Sequence, residues 1–152
     1  MCKGITYLDH VSLFTTCYHP GGLFRIKSES ETMIRVLLVK DHRMMTEGLA
    51  LMLNRQPDIE VVGKTASATE CREFLIGAQG GFDISLVDLF LPDGEGIDLI
   101  EELREQAPVV VLTSSFDPED HQRAMEAGAE AVLSKDADYE ELFSMVRRFS
   151  GN

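Results

Sequence analysis

The fold is decided by the stretch Ile84-Ser85-Leu86-Val87-Asp88-Leu89-Phe90-Leu91-Pro92-Asp93-Gly94. Its first part is short, mostly apolar and followed by a Pro/Gly turn, which is typical of a strand buried on both faces of a parallel sheet. Asp88 lies at the carboxyl end of this strand, where open α/β sheets place their ligand sites. A single aspartate at such a position is ordinarily a turn residue, so its role depends on the rest of the chain.

Strand and helix patterns alternate on both sides of this stretch. Apolar runs predict strands at 34–39, 59–63, 82–88, 108–113 and 131–134. Amphipathic or capped segments predict helices at about 43–55, 67–78, 97–106, 118–127 and 139–149. The alternation predicts an α/β fold, a doubly wound five-stranded parallel sheet with five helices.

The first of these helices has an expected buried face. Apolar residues at helical spacing place Met45, Leu49, Met52 and Leu53 on one side of it. We interpret the methionines at 44, 45 and 52 as core filling rather than as a cofactor site, because methionine adapts to irregular gaps in a core.

Residues 1–32 do not share the alternating pattern. They contain a turn at 18–22 and a polar run at 28–32, and His10, Cys17 and His19 match no strong metal-binding spacing. We therefore expect an N-terminal extension, poorly ordered, over 1–32, and one domain over 33–150. Met33 directly precedes the first strong strand, so it is a hypothetical start of that domain, which the intact mass of the native protein would test.

Composition excludes several classes of function. With 152 residues, 44% of them apolar, the chain has enough material for the core of one domain. A net charge of -12 argues against direct binding of nucleic acid through a basic face. No apolar run approaches the roughly 20 residues of a membrane span, and no signal peptide stands out, so we expect a cytoplasmic protein. The three cysteines are odd in number, which favours reduced thiols.

Polar residues stand at the ends of four predicted strands. Asp41 follows the first strand and Asp88 ends the third, while Thr113 ends the fourth and Lys135 follows the fifth. Each has a simple explanation as a turn residue. In a doubly wound sheet, however, these strand ends open on the same edge, so the four side chains are expected to converge on one cleft.

This set of groups suits phosphoryl transfer to a carboxylate. Two close carboxylates repel each other unless a hard cation such as Mg²⁺ bridges them, and the cation also neutralises charge on the transferring group. Asp88 is the candidate nucleophile, forming an aspartyl phosphate. Lys135 would pair with the phosphoryl oxygens, and Thr113 would donate a hydroxyl hydrogen bond to the attached group.

Residues 34 to about 149 resemble a bacterial response-regulator receiver domain, most similar to those of LuxR/NarL-type regulators. The resemblance rests on Val39-Lys40-Asp41-His42, Val87 to Gly94, Leu112-Thr113-Ser114, Ala127-Gly128-Ala129 and Lys135-Asp136-Ala137. It implies a flavodoxin-like fold and phosphorylation by a histidine kinase or phosphotransfer protein. It also implies Mg²⁺ held by Asp41, Asp88 and the backbone carbonyl of Phe90.

The resemblance also bears on partners. It implies a homodimer or an output protein that docks through the fourth and fifth helices, and in this branch of the family a DNA-binding domain after a linker. The chain stops at Gly151-Asn152, so a stand-alone receiver and a truncated regulator both remain open, and no direct contact with DNA or a membrane is expected.

Two residues depart from the family pattern. The family usually has two acids after the first strand, and Lys40 replaces the first of them. An ammonium in the cleft would weaken Mg²⁺ binding relative to a Lys40→Asp variant, whereas a Lys40 lying along the surface would not. Val132 occupies a position that is often aromatic, so an aromatic rotamer switch is absent. Phe116 is the partial substitute, although a core or helix-capping role is the simpler expectation.

Two other classes of function compete with a phosphoacceptor. One is a degenerate receiver, a protein-interaction module that works without phosphorylation, which Lys40 and Val132 favour. The other is an enzyme. An aspartyl phosphatase would commonly need a second acid where Phe90 stands, and a flavodoxin would need a hydroxyl-rich loop where the chain has Lys40-Asp41-His42-Arg43. For Asp93, within Pro92-Asp93-Gly94, we expect a turn role rather than a metal role.

Overall fold

The computed structural model describes residues 3–8, 13–19, 22–27, 33–77 and 81–150. The chain divides into two units, Met1–Met33 and Ile34–Asn152. In the first unit, strands β1 (Lys3–Leu8), β2 (Leu13–His19) and β3 (Gly22–Lys27) form an antiparallel sheet in the order β1-β2-β3.

These three strands lie within residues 1–32, for which the sequence predicts a poorly ordered extension. The physical reason is local, because the three segments are rich in β-branched and aromatic residues, which favour extended backbone.

The second unit alternates strands with helices. Its strands are β4 (Ile34–Val39), β5 (Ile59–Thr65), β6 (Ile84–Asp88), β7 (Phe90–Leu91), β8 (Gly94–Glu95), β9 (Val109–Thr113) and β10 (Ala131–Ser134). Its helices are α1 (Arg43–Asn54), α2 (Ala68–Gly77), α3 (Gly96–Leu103), α4 (Pro118–Ala127) and α5 (Tyr139–Phe149). Within the described ranges, every helix is too short or too polar to span a membrane.

Five of these strands form one parallel sheet in the order β10-β9-β6-β4-β5. The predicted doubly wound five-stranded sheet with five helices is thereby confirmed. The antiparallel pair of β7 and β8, two residues each, was not predicted. The order places β6 in the middle of the sheet, so the strand that carries Asp88 has a hydrogen-bonded neighbour on each side.

The core lies on both faces of the sheet. Alternate residues of the central strands point to opposite faces, so that Leu38 and Leu86 pack with α1 and α5, whereas Val39 and Val87 pack with α2, α3 and α4. Because both faces are covered, the central strands read as continuous apolar runs. The helices therefore leave the carboxyl edge of the sheet to the loops.

The buried face of α1 corrects one expectation. Thr46, Leu49, Ala50 and Leu53 are buried, and Met52 packs against the core from its margin. The interpretation of Met44 and Met45 as core residues was wrong, because their exposed fractions are 84% and 44%. The threonine and the alanine complete the helical period on the inner side, which turns both methionines outward.

Candidate functional site

Strand register brings the predicted site residues to one edge of the sheet. Val39 of β4 pairs with Val87 of β6, and Asp88 pairs with Leu112 of β9. Thr113 pairs with Ser134 of β10, so β4, β6, β9 and β10 end side by side. As a result the residues at these ends, Asp41, Asp88, Thr113 and Lys135, stand on the same edge.

Asp88 and Lys135 form an ion pair at the centre of this edge, in which the carboxylate is buried and the ammonium is partly buried. Lys135 Nζ donates to Asp88 Oδ2 at 2.8 Å, and the exposed fractions of the two side chains are 19% and 2%. The other carboxylate oxygen of Asp88 accepts a longer bond, 3.3 Å, from the backbone N–H of Phe90. A buried carboxylate needs such partners because desolvation penalises its charge.

Lys40 is the second ammonium at this edge. Only 2% of the residue is exposed, so the alternative that placed it along the surface is wrong. Burial lowers the pKa of Lys40, as does the charge of Lys135, whereas Asp88 and Asp41 raise this pKa. Lys40 is therefore an electrostatic neighbour of all three residues.

The oxygen atoms at this edge are of the kind that Mg²⁺ prefers. Asp41 is exposed two residues after the end of β4, and Asp88 ends the neighbouring strand β6. The side chains of these two residues are carboxylates, and carboxylate and main-chain carbonyl oxygens are hard donors. Among the described residues, no group of three or more His, Cys, Asp or Glu side chains lies together as a metal cluster. In donor type, Asp41 and Asp88 are compatible with Mg²⁺, and the Lys135 ammonium contacts one of the two, Asp88.

Thr113 connects the site to the next helix. Its hydroxyl oxygen accepts from the backbone N–H of Ser115 at 3.0 Å, and the Ser115 hydroxyl donates to Asp120 Oδ2 at 2.6 Å. Asp120 lies in the first turn of α4. Because Thr113 accepts with its oxygen, its own hydrogen remains available to another acceptor.

Gly96 is a site residue that the sequence analysis missed. A Cβ at this position would lie 2.5 Å from the carbonyl oxygen of Asp88 and 2.9 Å from that of Leu89. The N–H of Gly96 also donates to the Leu89 carbonyl at 2.9 Å. Glycine therefore lets the start of α3 approach the end of β6. The signal in the sequence is a glycine at the start of a predicted helix, close to the turn at Gly94.

The two residues considered for an aromatic switch, Val132 and Phe116, differ in burial. Val132 is partly buried against the core cluster that includes Val111. Phe116 is 76% exposed, so the expected core role of this residue was wrong. The loop after β9 presents it outward, while the N-cap of α4 is Asp117, whose side chain accepts from the Glu119 N–H.

Asp93 does more than close a turn. Its two carboxylate oxygens accept from the backbone N–H groups of Ala68 and Thr69 at 2.9 and 2.8 Å, and the Thr69 hydroxyl donates to it at 2.5 Å. Asp93 thus caps α2 from the loop that follows Asp88. These hydrogen bonds, first that from the Thr69 side chain, lower the pKa of Asp93 to about 2.

Acid is expected to remove this cap. Because the pKa of Asp93 falls from 3.8 to about 2 on folding, its contribution to stability is complete above about pH 4 and is lost as the pH falls through 2. Urea unfolding between pH 5 and pH 2 should therefore show a smaller loss of stability for Asp93→Asn than for wild type. Glu73 is an exposed acid in α2, the helix that Asp93 caps. The variant Glu73→Gln therefore controls for the loss of one negative charge. Equal pH profiles for wild type and Asp93→Asn would contradict the prediction.

Comparison with known proteins identifies the family. The family model "Response regulator receiver domain" matches residues 36–147. The Bacillus subtilis transcriptional regulatory protein DesR is 32% identical, over 76% of this chain and 57% of DesR. LiaR from the same organism is 36% identical, over 78% of this chain and 56% of LiaR. The chain thus spans a little over half the length of these curated relatives.

Solved structures agree with the sequence matches. A two-component response regulator of the LuxR family from Aurantimonas is 28% identical, with a TM-score of 0.71 over 78% of this chain and 86% of that one. The response regulator domain of Thermotoga maritima CheB is 22% identical, with a TM-score of 0.69 over 79% of this chain and 98% of that one, and supports the fold alone. These matches confirm the flavodoxin-like fold and the resemblance to LuxR/NarL-type receivers. The chain belongs to the response regulator receiver domain family of two-component systems.

Proposed function

We propose that this chain accepts a phosphoryl group on the side chain of Asp88 from a histidine kinase or a phosphotransfer protein. The observation that carries the proposal is the ion pair between the buried Asp88 and Lys135, whose Oδ2 and Nζ atoms lie 2.8 Å apart at the carboxyl edge of the sheet. Receiver domains interact with histidine kinases as a family. The pair offers what the reaction needs, a carboxylate nucleophile with a cation beside it.

The transfer is a displacement at phosphorus. A carboxylate oxygen of Asp88 forms a bond to phosphorus while the bond from phosphorus to the donor atom breaks, and that electron pair leaves with the donor. Lys135 already contacts Asp88 Oδ2, so its ammonium stands where negative charge builds up on the phosphoryl oxygens. Asp41, Asp88 and the carbonyl of Phe90 would hold Mg²⁺, which neutralises part of that charge when bound.

Thr113 is the proposed route from phosphorylation to conformational change. Its hydroxyl hydrogen can be donated to a phosphoryl oxygen on Asp88, and a shift of Thr113 alters its bond with the Ser115 N–H. Ser115 is in turn bonded to Asp120 in the first turn of α4. Phosphorylation would thus reach α4 through Thr113, Ser115 and Asp120. This route does not need an aromatic side chain at position 132.

Two surfaces suit the proposed partners. An open cleft of about 490 Å³ has Lys135, Met44 and Tyr139 among its lining residues, and it would offer a phosphodonor apolar contacts next to Lys135. On α4 and α5, Met125 and Tyr139 are exposed by 48% and 47%. These helices are the proposed contact for a second copy or an output protein. Control of transcription, which the relatives' names state, would pass through that contact.

Incubation of the full chain with acetyl phosphate and Mg²⁺, followed by intact mass measurement, tests the proposal. We expect an adduct of one phosphoryl group that Asp88→Asn abolishes, because that change removes the nucleophile. Asp98→Asn, an exposed acid at the start of α3, should keep the adduct. A wild-type chain without an adduct would favour the module that works without phosphorylation.

A further inference from the structure

Ser115, in the loop after β9, is held in place through each of its polar groups. Its N–H donates to the hydroxyl oxygen of Thr113 at 3.0 Å, and its hydroxyl donates to Asp120 Oδ2 at 2.6 Å. The hydroxyl oxygen also accepts from the backbone N–H of Asp117 at 3.2 Å, and the Ser115 carbonyl oxygen lies 2.8 Å from His121 Nε2. A loop residue has no helix or sheet ladder to satisfy its backbone groups, so these partners define where Ser115 lies.

His121 holds the backbone of Ser115 from within α4. A carbonyl oxygen can only accept a hydrogen bond, so the His121 Nε2 atom carries a hydrogen and donates it. Nε2 carries that hydrogen in the neutral ring and in the cationic ring, so the contact does not depend on the charge of the imidazole. The backbone N–H of His121 donates to the Asp117 carbonyl at 3.3 Å, which places His121 in the first hydrogen-bonded turn of α4. The ring therefore fastens the loop to a rigid element.

The hydroxyl of Thr113 is oriented by Ser115. Thr113 is buried, and its β-branched side chain has few accessible χ1 rotamers. Its hydroxyl oxygen receives the Ser115 N–H, so the hydroxyl hydrogen is free to be donated elsewhere. Thr113 directly follows Leu112, the residue that pairs with Asp88 on the neighbouring strand. A donor that is fixed before a reaction stabilises the developing charge without having to reorganise.

We propose that His121 is a positioning residue of the phosphoryl site. By holding the Ser115 carbonyl, His121 keeps the Ser115 N–H on the hydroxyl oxygen of Thr113, so that the Thr113 hydrogen is ready for a phosphoryl oxygen on Asp88. This inference rests on the proposed function, because Thr113 has a phosphoryl group to contact only when Asp88 accepts one. His121 acts through Ser115 and takes no part in the bonds that form and break at phosphorus.

The first test measures the initial rate of adduct formation from acetyl phosphate and Mg²⁺ in the full chain. His121→Leu removes the donor to Ser115, and we expect the rate to fall by at least about fivefold. His121→Gln places an amide donor near the position of Nε2 and should keep the rate within about twofold of wild type. Gln122→Leu, at an exposed neighbour in α4, controls for the added apolar surface and should match wild type. Equal rates for wild type and His121→Leu, or an equally slow His121→Gln, would overturn the inference and leave the proposed function intact.

A double-mutant cycle with Thr113→Val separates positioning from a general loss of structure. Thr113→Val removes the hydroxyl that His121 is proposed to orient. In that background, His121→Leu should change the rate by less than about twofold, because residues that act through one another have non-additive effects. A further fall of about fivefold in the double variant would mean that His121 does not act through Thr113. Circular dichroism verifies that each variant is folded, and the comparison of His121→Leu with His121→Gln decides if the double variant does not fold.

Amide hydrogen exchange gives a readout that does not depend on phosphorylation. His121→Leu should speed the exchange of the Ser115 N–H by at least about tenfold, because the loop then opens locally. The N–H of Val111, within β9, should exchange at the wild-type rate, which a global loss of stability would not allow. Unchanged exchange at Ser115 would overturn the role of His121 alone. A wild-type chain that forms no adduct would overturn the proposed function and this inference with it.

Discussion

Replacing Gly96 by alanine is expected to lower the free energy of unfolding by about 1–3 kcal/mol, the usual cost of forcing an extra carbon into a packed site. The new Cβ would lie 2.5 Å from the Asp88 carbonyl oxygen, 2.9 Å from that of Leu89 and 3.1 Å from the Leu89 Cα. All three are backbone atoms, which cannot move aside as a flexible side chain does. The strand end that carries Asp88 has to shift, so the rate of phosphorylation should fall together with stability.

Gly48→Ala is the matched control for this substitution. Gly48 lies inside α1, and a Cβ there would meet nothing within 4 Å. Alanine is preferred over glycine in a helix by about 1 kcal/mol, so Gly48→Ala should raise stability while Gly96→Ala lowers it. Urea denaturation of both variants measures whether each substitution raises or lowers the free energy of unfolding. An unchanged or raised urea midpoint for Gly96→Ala would show that the start of α3 relaxes away from β6.

The second large effect is expected from Lys135→Met. The substitution removes the 2.8 Å partner of a carboxylate that is only 2% exposed, and breaking one side of a buried pair costs roughly 3–5 kcal/mol. Because 19% of the Lys135 side chain is exposed, we expect a smaller loss of stability, about 2 kcal/mol. Phosphorylation by acetyl phosphate should slow by at least about tenfold, since the charge on the phosphoryl oxygens loses its closest cation.

Lys64→Met provides the same change of side chain at an exposed pair. Lys64 Nζ and Glu47 Oε1 also lie 2.8 Å apart, but 42% and 59% of these side chains are exposed. Solvent screens such exposed pairs, so Lys64→Met is expected to lower the free energy of unfolding by at most about 1 kcal/mol. Urea unfolding of both variants at neutral pH isolates the effect of burial. Similar losses in the two variants would mean that the pair of Asp88 and Lys135 is as well solvated as a surface pair.

The sheet could be predicted from sequence because its central strands are buried on both faces. Continuous apolar runs around Leu38, Leu86 and Val110 are incompatible with an exposed face, and their alternation with helices limits the topology. The carboxyl ends of parallel strands lie at one edge of the sheet, so the sequence also predicts that Asp88 and Lys135 lie near each other. That part of the site follows from topology alone.

Other features depend on atoms that are distant in the sequence. Gly96 matters because of backbone oxygens seven and eight residues earlier, and Asp93 because of N–H groups more than twenty residues earlier. Lys40 could not be assigned to cleft or surface from its neighbours in the chain. In α1, the buried residues Thr46 and Ala50 are small or polar, and the neighbouring methionines are more apolar. The sequence pattern therefore predicts the wrong buried face for this helix.

The loops on both sides of the site are tied to a helix. On one side, the Asp93 carboxylate accepts three hydrogen bonds from the first turn of α2. On the other side, the Ser115 hydroxyl donates to Asp120 in the first turn of α4, and the Ser115 N–H donates to the Thr113 hydroxyl oxygen. A displacement of Thr113 would therefore act on the loop that is bonded to α4, so the hydrogen bonds that start at Thr113 lead to that helix.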